Sequence, residues 1–427
     1  MSGLSLGHLL SNESIIPVFL VTIFLASLIA TKVKIPSTMI LVGIGISISV
    51  ADFAGYGIPS IAGFKVDPKL ILYFIIPPLI FEAMMKIDRE QFKLIRISSL
   101  ALATIGVGLA TVVGGLLLSY LAGLPTIVAF AFAALIAPTD AAIVIEVFKR
   151  IKIPKSLATL MEAEASFNDA AGVIIFSSIM AIAASQGSLL SPNSTTEINV
   201  NILETIGHFA LVFFGGIAVG IGLAVGSQFL HKLLDEPLSE TALSVAVLFG
   251  SVIIANSLGL SGLVAAAAAG LWFGVVLRKP QYISEKVRTY TSNFWEMIAF
   301  FANSVAFLYL GLSMDMIRIG QNLPLIALAI VAVLAARAVS TYPILALTHR
   351  FTKEKTPGTW RHVVMIGGMR GALSVALVAT LPESEIKEIL KTITFGVVLS
   401  SLIIQYPVLS RYIKKAFPQT VQETKSP

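Results

Sequence analysis

Residues 161–176 read MEAEASFNDAAGVIIF, and they carry Glu162, Glu164, Asn168 and Asp169 into a long apolar run. A charged side chain at the centre of a bilayer costs about 2.5–3.5 kcal/mol on insertion scales, so such residues are usually paired and functional. If the run crosses a membrane, this stretch is the first candidate for a functional site.

The composition of the whole chain indicates a membrane protein. Its 427 residues are 56% hydrophobic and only 13% charged, with a mean hydropathy of +0.89, which lies outside the range of soluble globular domains. The 30 basic residues exceed the 24 acidic ones, but basic cytoplasmic loops explain this excess without a nucleic-acid partner. The absence of cysteine excludes a disulfide framework, a thiolate nucleophile and a cysteine metal site.

Thirteen apolar runs have about the 20-residue length that a helix needs to cross a bilayer. The sequence therefore predicts an all-α polytopic membrane protein. Connections between the runs are short, so residues 1–427 are expected to form one membrane domain with a short cytoplasmic tail at 413–427. The first run has no signal-peptide features and is expected to remain as a span. The runs lie near 14–31, 36–52, 69–85, 98–121, 125–148, 156–185, 203–230, 238–257, 260–277, 287–313, 323–349, 361–381 and 388–410.

The basic residues predict the orientation of the chain, because basic loops stay on the cytoplasmic side. Twenty-three Lys and Arg residues fall on one side of the predicted membrane and five on the other. The remaining two, Arg337 and Arg370, lie inside predicted spans. The N-terminus is therefore expected to be external and the C-terminus cytoplasmic.

Two predicted spans are interrupted. Span 5, AFAALIAPTDAAIVIEVF, contains Pro138 beside Thr139 and Asp140, and span 12, VVMIGGMRGALSVAL, contains three glycines around Arg370. The two spans are seven apart in order along the chain. Because successive spans alternate in direction, spans seven apart cross the membrane in opposite directions. This offset predicts an inverted repeat of spans 1–6 and 8–13. Broken helices at matching positions of two such halves indicate the binding site of a secondary transporter.

Four polar residues lie near the middle of their spans. Thr139, Asp169, Arg337 and Arg370 are each roughly 9–14 residues from a span end, which is about 14–21 Å at helical rise. They come from four different spans and could meet at the membrane midplane.

Six motifs in order along the chain resemble the NhaP/NHE branch of the monovalent cation:proton antiporters. They are IPPLIFEAMM in span 3, APTD in span 5, EAEASFND in span 6, FWEMIAFFANSVAFLYLGL in span 10, AARAVSTY in span 11 and GGMRGALSVAL in span 12. Members of this family have thirteen spans in two inverted repeats, form homodimers and exchange Na⁺ or Li⁺, sometimes K⁺, for protons. The resemblance implies a plasma-membrane antiporter in contact with lipids, with a role in pH homeostasis, no resident cofactor and no enzymatic activity.

The resemblance also implies roles for individual residues. Asp169 is the carboxylate for which cation and proton compete, and Asp169 with Thr139 would hold the metal ion. Asn168, Ser166 and Glu164 are further candidates for cation binding. Relatives carry Ser directly after the residue equivalent to Glu164, whereas this chain has Ala there and a hydroxyl one residue later, at Ser166.

Other charged residues are expected to support or tune the site. The resemblance implies that Glu164 pairs with Arg337 and that Arg370 holds the second broken helix. The pair is either architectural or tuning, and Asp140 faces either a helix end or the cavity. Because Asn168 cannot titrate and Glu164 stays ionised against Arg337, the exchange is expected to be electroneutral, one for one.

The spacing along span 6 agrees with these roles. Glu164 and Asn168 are four apart and Ser166 and Asp169 three apart, so one turn can present several oxygens to a small cation. Oxygen ligands suit Na⁺, Li⁺ and K⁺ alike, so a K⁺/H⁺ antiporter of the same fold is the alternative function. A cation channel is an alternative from another class, and an enzyme is disfavoured because no nucleophile–base arrangement is visible.

Three further acidic residues are given smaller roles. Glu82 and Glu296 are expected to be packing or interface polar groups. Glu162 is expected to be a solvated helix start rather than part of a funnel.

Overall fold

A computed structural model describes residues 15–33, 35–54, 70–151, 153–185, 202–231, 236–279, 283–352, 356–381 and 383–418. This part of the chain is almost entirely helical, which confirms the predicted all-α class. The helices are α1 (Ile15–Val33), α2 (Ser37–Phe53), α3 (Ile76–Lys86), α4 (Arg89–Ala101), α5 (Val107–Ala122), α6 (Thr126–Ile136), α7 (Ala142–Arg150), α8 (Lys155–Ser185), α9 (Ile202–His231), α10 (Pro237–Ser257), α11 (Gly262–Leu277), α12 (Glu285–Leu312), α13 (Met316–Gln321), α14 (Leu323–Thr348), α15 (Gly358–Ile366), α16 (Ala372–Ala379), α17 (Glu385–Ser400) and α18 (Tyr406–Ala416).

Each of the thirteen predicted segments coincides with a helix, a pair of helices or a helix with a π-helical turn. Segments 5 and 12 are the two that break, into α6 and α7 and into α15 and α16. Seven helices among the described residues are long and apolar enough to cross a membrane, and several apolar helices are shorter. The number of crossings remains a prediction. The short helix α13 was not predicted, and α18 runs into the predicted tail as far as Ala416.

Three of the apolar segments contain a π-helical turn, at Ile71–Ile75, Leu102–Gly106 and Ser401–Gln405. The first and the third precede a helix with proline in its first turn, where the missing N–H interrupts the regular hydrogen-bond ladder. The third turn brings Ser401 to the break in segment 12, where its hydroxyl accepts a hydrogen bond from the Arg370 N–H at 3.3 Å.

The outer surface of the helix bundle is apolar. Phe24, Ile105, Leu211, Val331 and Ile403 each leave 59–65% of their surface exposed. Contiguous apolar surface of this kind is rare on proteins that face water, but it is what hydrocarbon-facing positions require.

Small residues let α11 pack closely against α3. A Cβ at Gly270 would lie 2.5 Å from the Phe81 carbonyl oxygen, so only glycine permits this approach. At the end of α11, Arg278 donates hydrogen bonds to the carbonyls of Met85, Lys86 and Ile87 at 2.7–3.0 Å. These contacts hold the end of α3, which lines the candidate site.

Candidate functional site

The two breaks meet, and backbone atoms join them. The Asp140 N–H, in the break between α6 and α7, donates a 2.8 Å hydrogen bond to the Met369 carbonyl, in the break between α15 and α16. This bond pairs one backbone group from each break that unwinding left without a helical partner. Buried backbone N–H and carbonyl groups need such partners.

The Arg370 side chain extends from the second break to the C-terminal end of α6. Its Nη1 donates to the carbonyls of Ile136, Ala137 and Pro138, the last at 3.1 Å, and the side chain is 2% exposed. These carbonyls carry the negative end of the helix dipole and have no partner within the helix. The resemblance implied that Arg370 holds the second broken helix. Its guanidinium instead binds the first one, because the side chain extends across the crossing.

The Asp140 carboxylate lies at the N-terminal ends of α7 and α16. Its Oδ1 accepts a 2.8 Å hydrogen bond from the Ala142 N–H at the start of α7. Gly371, directly before α16, lies so close that a Cβ there would overlap the same carboxylate. The Asp140 carboxylate thus lies between two helix N-termini, whose partial positive charges stabilise its negative charge.

Glu164 and Arg337 form a buried, two-pronged ion pair. Arg337 Nη1 lies 2.8 Å from Glu164 Oε1, and Nη2 lies 3.1 Å from Oε2. Arg337 Nη2 also donates to the Val364 carbonyl at 3.1 Å, so the pair connects α8 and α14 to α15. A Cβ at Gly368 would lie 2.6 Å from Arg337 Nε, so glycine is needed for the guanidinium to fit against the second break. Such bidentate pairs are strong and geometrically specific.

Asn168 joins this ion pair to the first break. Its Nδ2 donates to Glu164 Oε1 at 2.9 Å and to Thr139 Oγ1 at 2.8 Å, and its Oδ1 accepts from the Thr139 N–H at 3.3 Å. The side chain is fully buried. Neither Asn168 nor Glu164 is among the described residues that line the cavity beside the crossing.

A cavity of about 400 Å³ lies beside the crossing. Its wall includes Thr139, Asp140, Ser166 and Asp169. Ser166 Oγ donates to the Glu162 carbonyl at 2.9 Å, which leaves its oxygen lone pairs available. No donor among the described residues forms a hydrogen bond with the Asp169 carboxylate.

The cavity is strongly acidic. Among its described lining residues are six carboxylates and one ammonium group, and an electronegative cleft of this kind concentrates cations. The ammonium group, Lys86 Nζ, lies 2.5 Å from Glu82 Oε1 and 3.6 Å from Glu296 Oε2. The acidic residues are Glu82, Asp140, Glu146, Glu162, Asp169 and Glu296.

Three of these assignments correct the sequence-based expectation. Glu82 and Glu296 were expected to be packing or interface polar groups and Glu162 a solvated helix start rather than part of a funnel, and all three line the cavity. Their common position near the predicted cytoplasmic ends of spans 3, 10 and 6 was a signal that they share one opening. Asp140, for which two positions were open, both faces a helix end and lines the cavity.

These features define a class of protein. Crossed, broken helices with opposite charges at their ends, beside an acidic cavity in an apolar helix bundle, are the architecture of a membrane transporter for cations. Residues 19–415 match the family of transmembrane sodium/hydrogen exchangers, and the chain belongs to that family. The family resemblance that the motifs indicated is thereby confirmed, and the family is one of transporters.

Individual relatives agree with this assignment. The chain is 32% identical over 386 residues to the Na⁺/H⁺ antiporter ApNhaP of Aphanothece halophytica, covering 90% of this chain and 70% of that protein. It is 30% identical over 396 residues to the Na⁺/H⁺ antiporter NhaH of Halobacillus aidingensis, covering 91% and 93%. Its fold is similar to the solved structure of the sodium proton antiporter MjNhaP1 from Methanocaldococcus jannaschii at pH 8, with a TM-score of 0.72 at 21% identity over 94% of this chain and 98% of that one.

Proposed function

We propose that this protein exchanges Na⁺ for H⁺ across the cell membrane, with cation and proton competing for Asp169. The observation that carries the proposal is the Asp169 carboxylate, which lies in the wall of the acidic cavity beside the crossed helices and accepts no hydrogen bond from the described residues. A carboxylate in this position is available either to a small cation or to a proton. The names of the two relatives agree with this exchange.

In this mechanism the cavity residues divide into ligands and supports. Asp169, Thr139 and Ser166 present oxygen atoms to the cavity and are the ligands we assign to the cation. Asn168 and Glu164 lie behind the wall, where their hydrogen bonds hold Thr139 in position. Their contribution to cation binding is therefore indirect.

The charges around Asp169 favour a one-for-one exchange. Glu164 is paired with Arg337, Asn168 cannot titrate, and the Asp140 carboxylate accepts a hydrogen bond from the Ala142 N–H at the start of α7. Asp169 is then the one central group that changes its protonation state. It carries a cation in one direction and a proton in the other, and no net charge crosses the membrane.

The same proposal includes the setting of the protein in the membrane. The N-terminus is external and the C-terminus cytoplasmic, so the acidic cavity opens toward the cytoplasm. The exposed apolar side chains of the outer surface contact lipids. The functional unit is a homodimer, as the family resemblance implies.

The test uses the purified protein in vesicles that contain a pH-sensitive dye. Adding Na⁺ outside should move protons out and raise the internal pH. The Asp169→Asn variant should lose this response, because its amide can neither bind a proton nor balance a cation. Asp315→Asn is the matched control, since Asp315 caps α13 through the N–H groups of Ile317 and Arg318, and asparagine is an equally good cap. Full exchange by Asp169→Asn would disprove the assignment.

A further inference from the structure

Ser374 is a buried hydroxyl that the proposed ligand set leaves out. It lies in the first turn of α16, the second broken helix, and lines the same cavity as Asp169. Its side chain is 1% exposed, and within the described part of the chain its Oγ has no hydrogen-bond partner. Buried polar atoms without a partner are rare, and each one needs an explanation.

The break itself explains why Ser374 is unpartnered. A serine in a helix usually donates to a carbonyl three or four residues earlier, as Ser304 does to the Phe300 carbonyl at 2.7 Å. For Ser374 these carbonyls belong to Gly371 and Arg370, which precede the helix, and Gly371 has an extended backbone with φ −120° and ψ −168°. The unwound segment therefore turns the usual acceptors away from the hydroxyl.

Ser374 lies near the proposed cation site. Gly371 and Ser374 are three residues apart, and both line the cavity that Asp169 lines. Gly371 lies against the Asp140 carboxylate, so Ser374 lies about one turn further along the same cavity wall. A second unpartnered hydroxyl of the cavity, on Thr38, belongs to α2 and not to a broken helix.

We propose that Ser374 Oγ is a ligand of the transported cation. Each of the two interrupted segments then supplies one hydroxyl to the cavity that Asp169 lines, Thr139 from the first and Ser374 from the second. A hydroxyl oxygen is the kind of ligand that hard cations prefer. The Ser374 oxygen accepts no hydrogen bond from the described residues, so its lone pairs are available to a cation. The inference rests on the proposed exchange of Na⁺ for H⁺.

The experiment measures Na⁺ binding and transport for Ser374→Ala in reconstituted vesicles. We expect the apparent KM for Na⁺ to rise about tenfold, the effect of losing one contact to a charged group. The rise in melting temperature that saturating Na⁺ gives the wild type should shrink, because weaker binding stabilises less. The melting temperature without Na⁺ should stay the same or rise, since the variant removes an unpaired buried hydroxyl.

Two further variants separate a ligand from a packing role. Ser304→Ala is the matched control, because Ser304 lines the same cavity at 2% exposure but belongs to the unbroken helix α12, not to the crossing. It should leave the KM for Na⁺ unchanged. Ser374→Thr keeps a hydroxyl and should restore most of the affinity that Ser374→Ala loses, whereas a packing role would make the larger threonine at least as harmful as alanine.

The outcomes distinguish this inference from the proposed function. If the wild type exchanges Na⁺ for H⁺ and Ser374→Ala matches it in KM and in Na⁺-induced stabilisation, Ser374 is not a ligand and the proposed function stands. If the wild type moves no protons in response to Na⁺, both proposals are overturned.

Discussion

Glu164 connects the buried ion pair to the proposed cation site. Its carboxylate accepts hydrogen bonds from Arg337 and Asn168, and Asn168 in turn holds both the backbone N–H and the hydroxyl of Thr139. Because every link is shorter than 3.5 Å and buried, a shift of Glu164 changes the position of a proposed ligand.

Breaking the Glu164–Arg337 pair should destabilise the protein strongly. Removing one partner of a buried ion pair typically costs about 3–5 kcal/mol, because the remaining charge is left uncompensated. Glu164→Gln and Arg337→Ala should therefore each lower the melting temperature in detergent. The double variant should lose less than the sum of the two single losses.

The exposed pair Glu285–Arg288 is the control for this cycle. Its atoms approach to 3.1 Å, but the side chains are 84% and 44% exposed. Surface pairs of this kind contribute about 0–1 kcal/mol, so its removal should change the melting temperature little. Strictly additive losses at Glu164 and Arg337 would contradict the coupling that we infer.

At the scale of the helices, two charged side chains lie at three of the four helix ends that meet at the crossing. Asp140 lies at the N-termini of α7 and α16, and Arg370 lies at the C-terminus of α6. Without these side chains, the ends of these short helices would leave their dipoles unpaired in the interior of the helix bundle.

Replacing Arg370 should therefore destabilise the first broken helix, although Arg370 belongs to the second. Arg370→Ala leaves the carbonyls of Ile136, Ala137 and Pro138 without their donor, and we expect a loss of about 3 kcal/mol or more. Arg370→Lys should be intermediate, because lysine keeps the charge but not the planar fork. Thermal unfolding of the purified variants measures the difference.

Arg278→Ala provides the comparison for this prediction. Arg278 also donates to carbonyls at a helix end, those of α3, but it is less deeply buried than Arg370. Its loss should cost less because water can reach the freed carbonyls. If Arg370→Ala melts no lower than Arg278→Ala, the larger loss that we expect at the crossing is contradicted.

Features set by neighbouring residues could be predicted from the sequence, whereas contacts between distant residues could not. Pro138 and the glycines around Arg370 stand beside charged residues in the middle of apolar runs, and this local combination allowed both breaks to be predicted. Pro343 and the glycines in the middle of α9 lack such neighbours and lie in unbroken helices. The carbonyls that Arg370 binds could not, because they lie 232 to 234 residues earlier in the chain. The sequence also could not show that Asn168 lies behind the cavity wall, since the spacing along α8 shows a shared face but not what packs against it.

For the whole molecule, the arrangement of charges predicts how transport responds to voltage. If Asp169 is the single carrier, each cycle moves no net charge, and the exchange rate should be the same at any imposed membrane potential. Potassium-loaded vesicles with valinomycin set the potential, and the pH dye reports the rate. A steady current or a voltage-dependent rate would bring Asp140 forward as a second carrier, because it lines the same cavity.

The Glu164–Arg337 pair also has a consequence for how the protein is made. Its partners are 173 residues apart, and the ribosome completes α8 long before it reaches α14. During synthesis the first half of the chain therefore enters the bilayer with the Glu164 carboxyl still lacking its guanidinium. The first half should remain a poorly anchored assembly intermediate, open to degradation, until the second half arrives. If the chain were cut between α8 and α9, each fragment should accumulate only when the other is produced in the same cell.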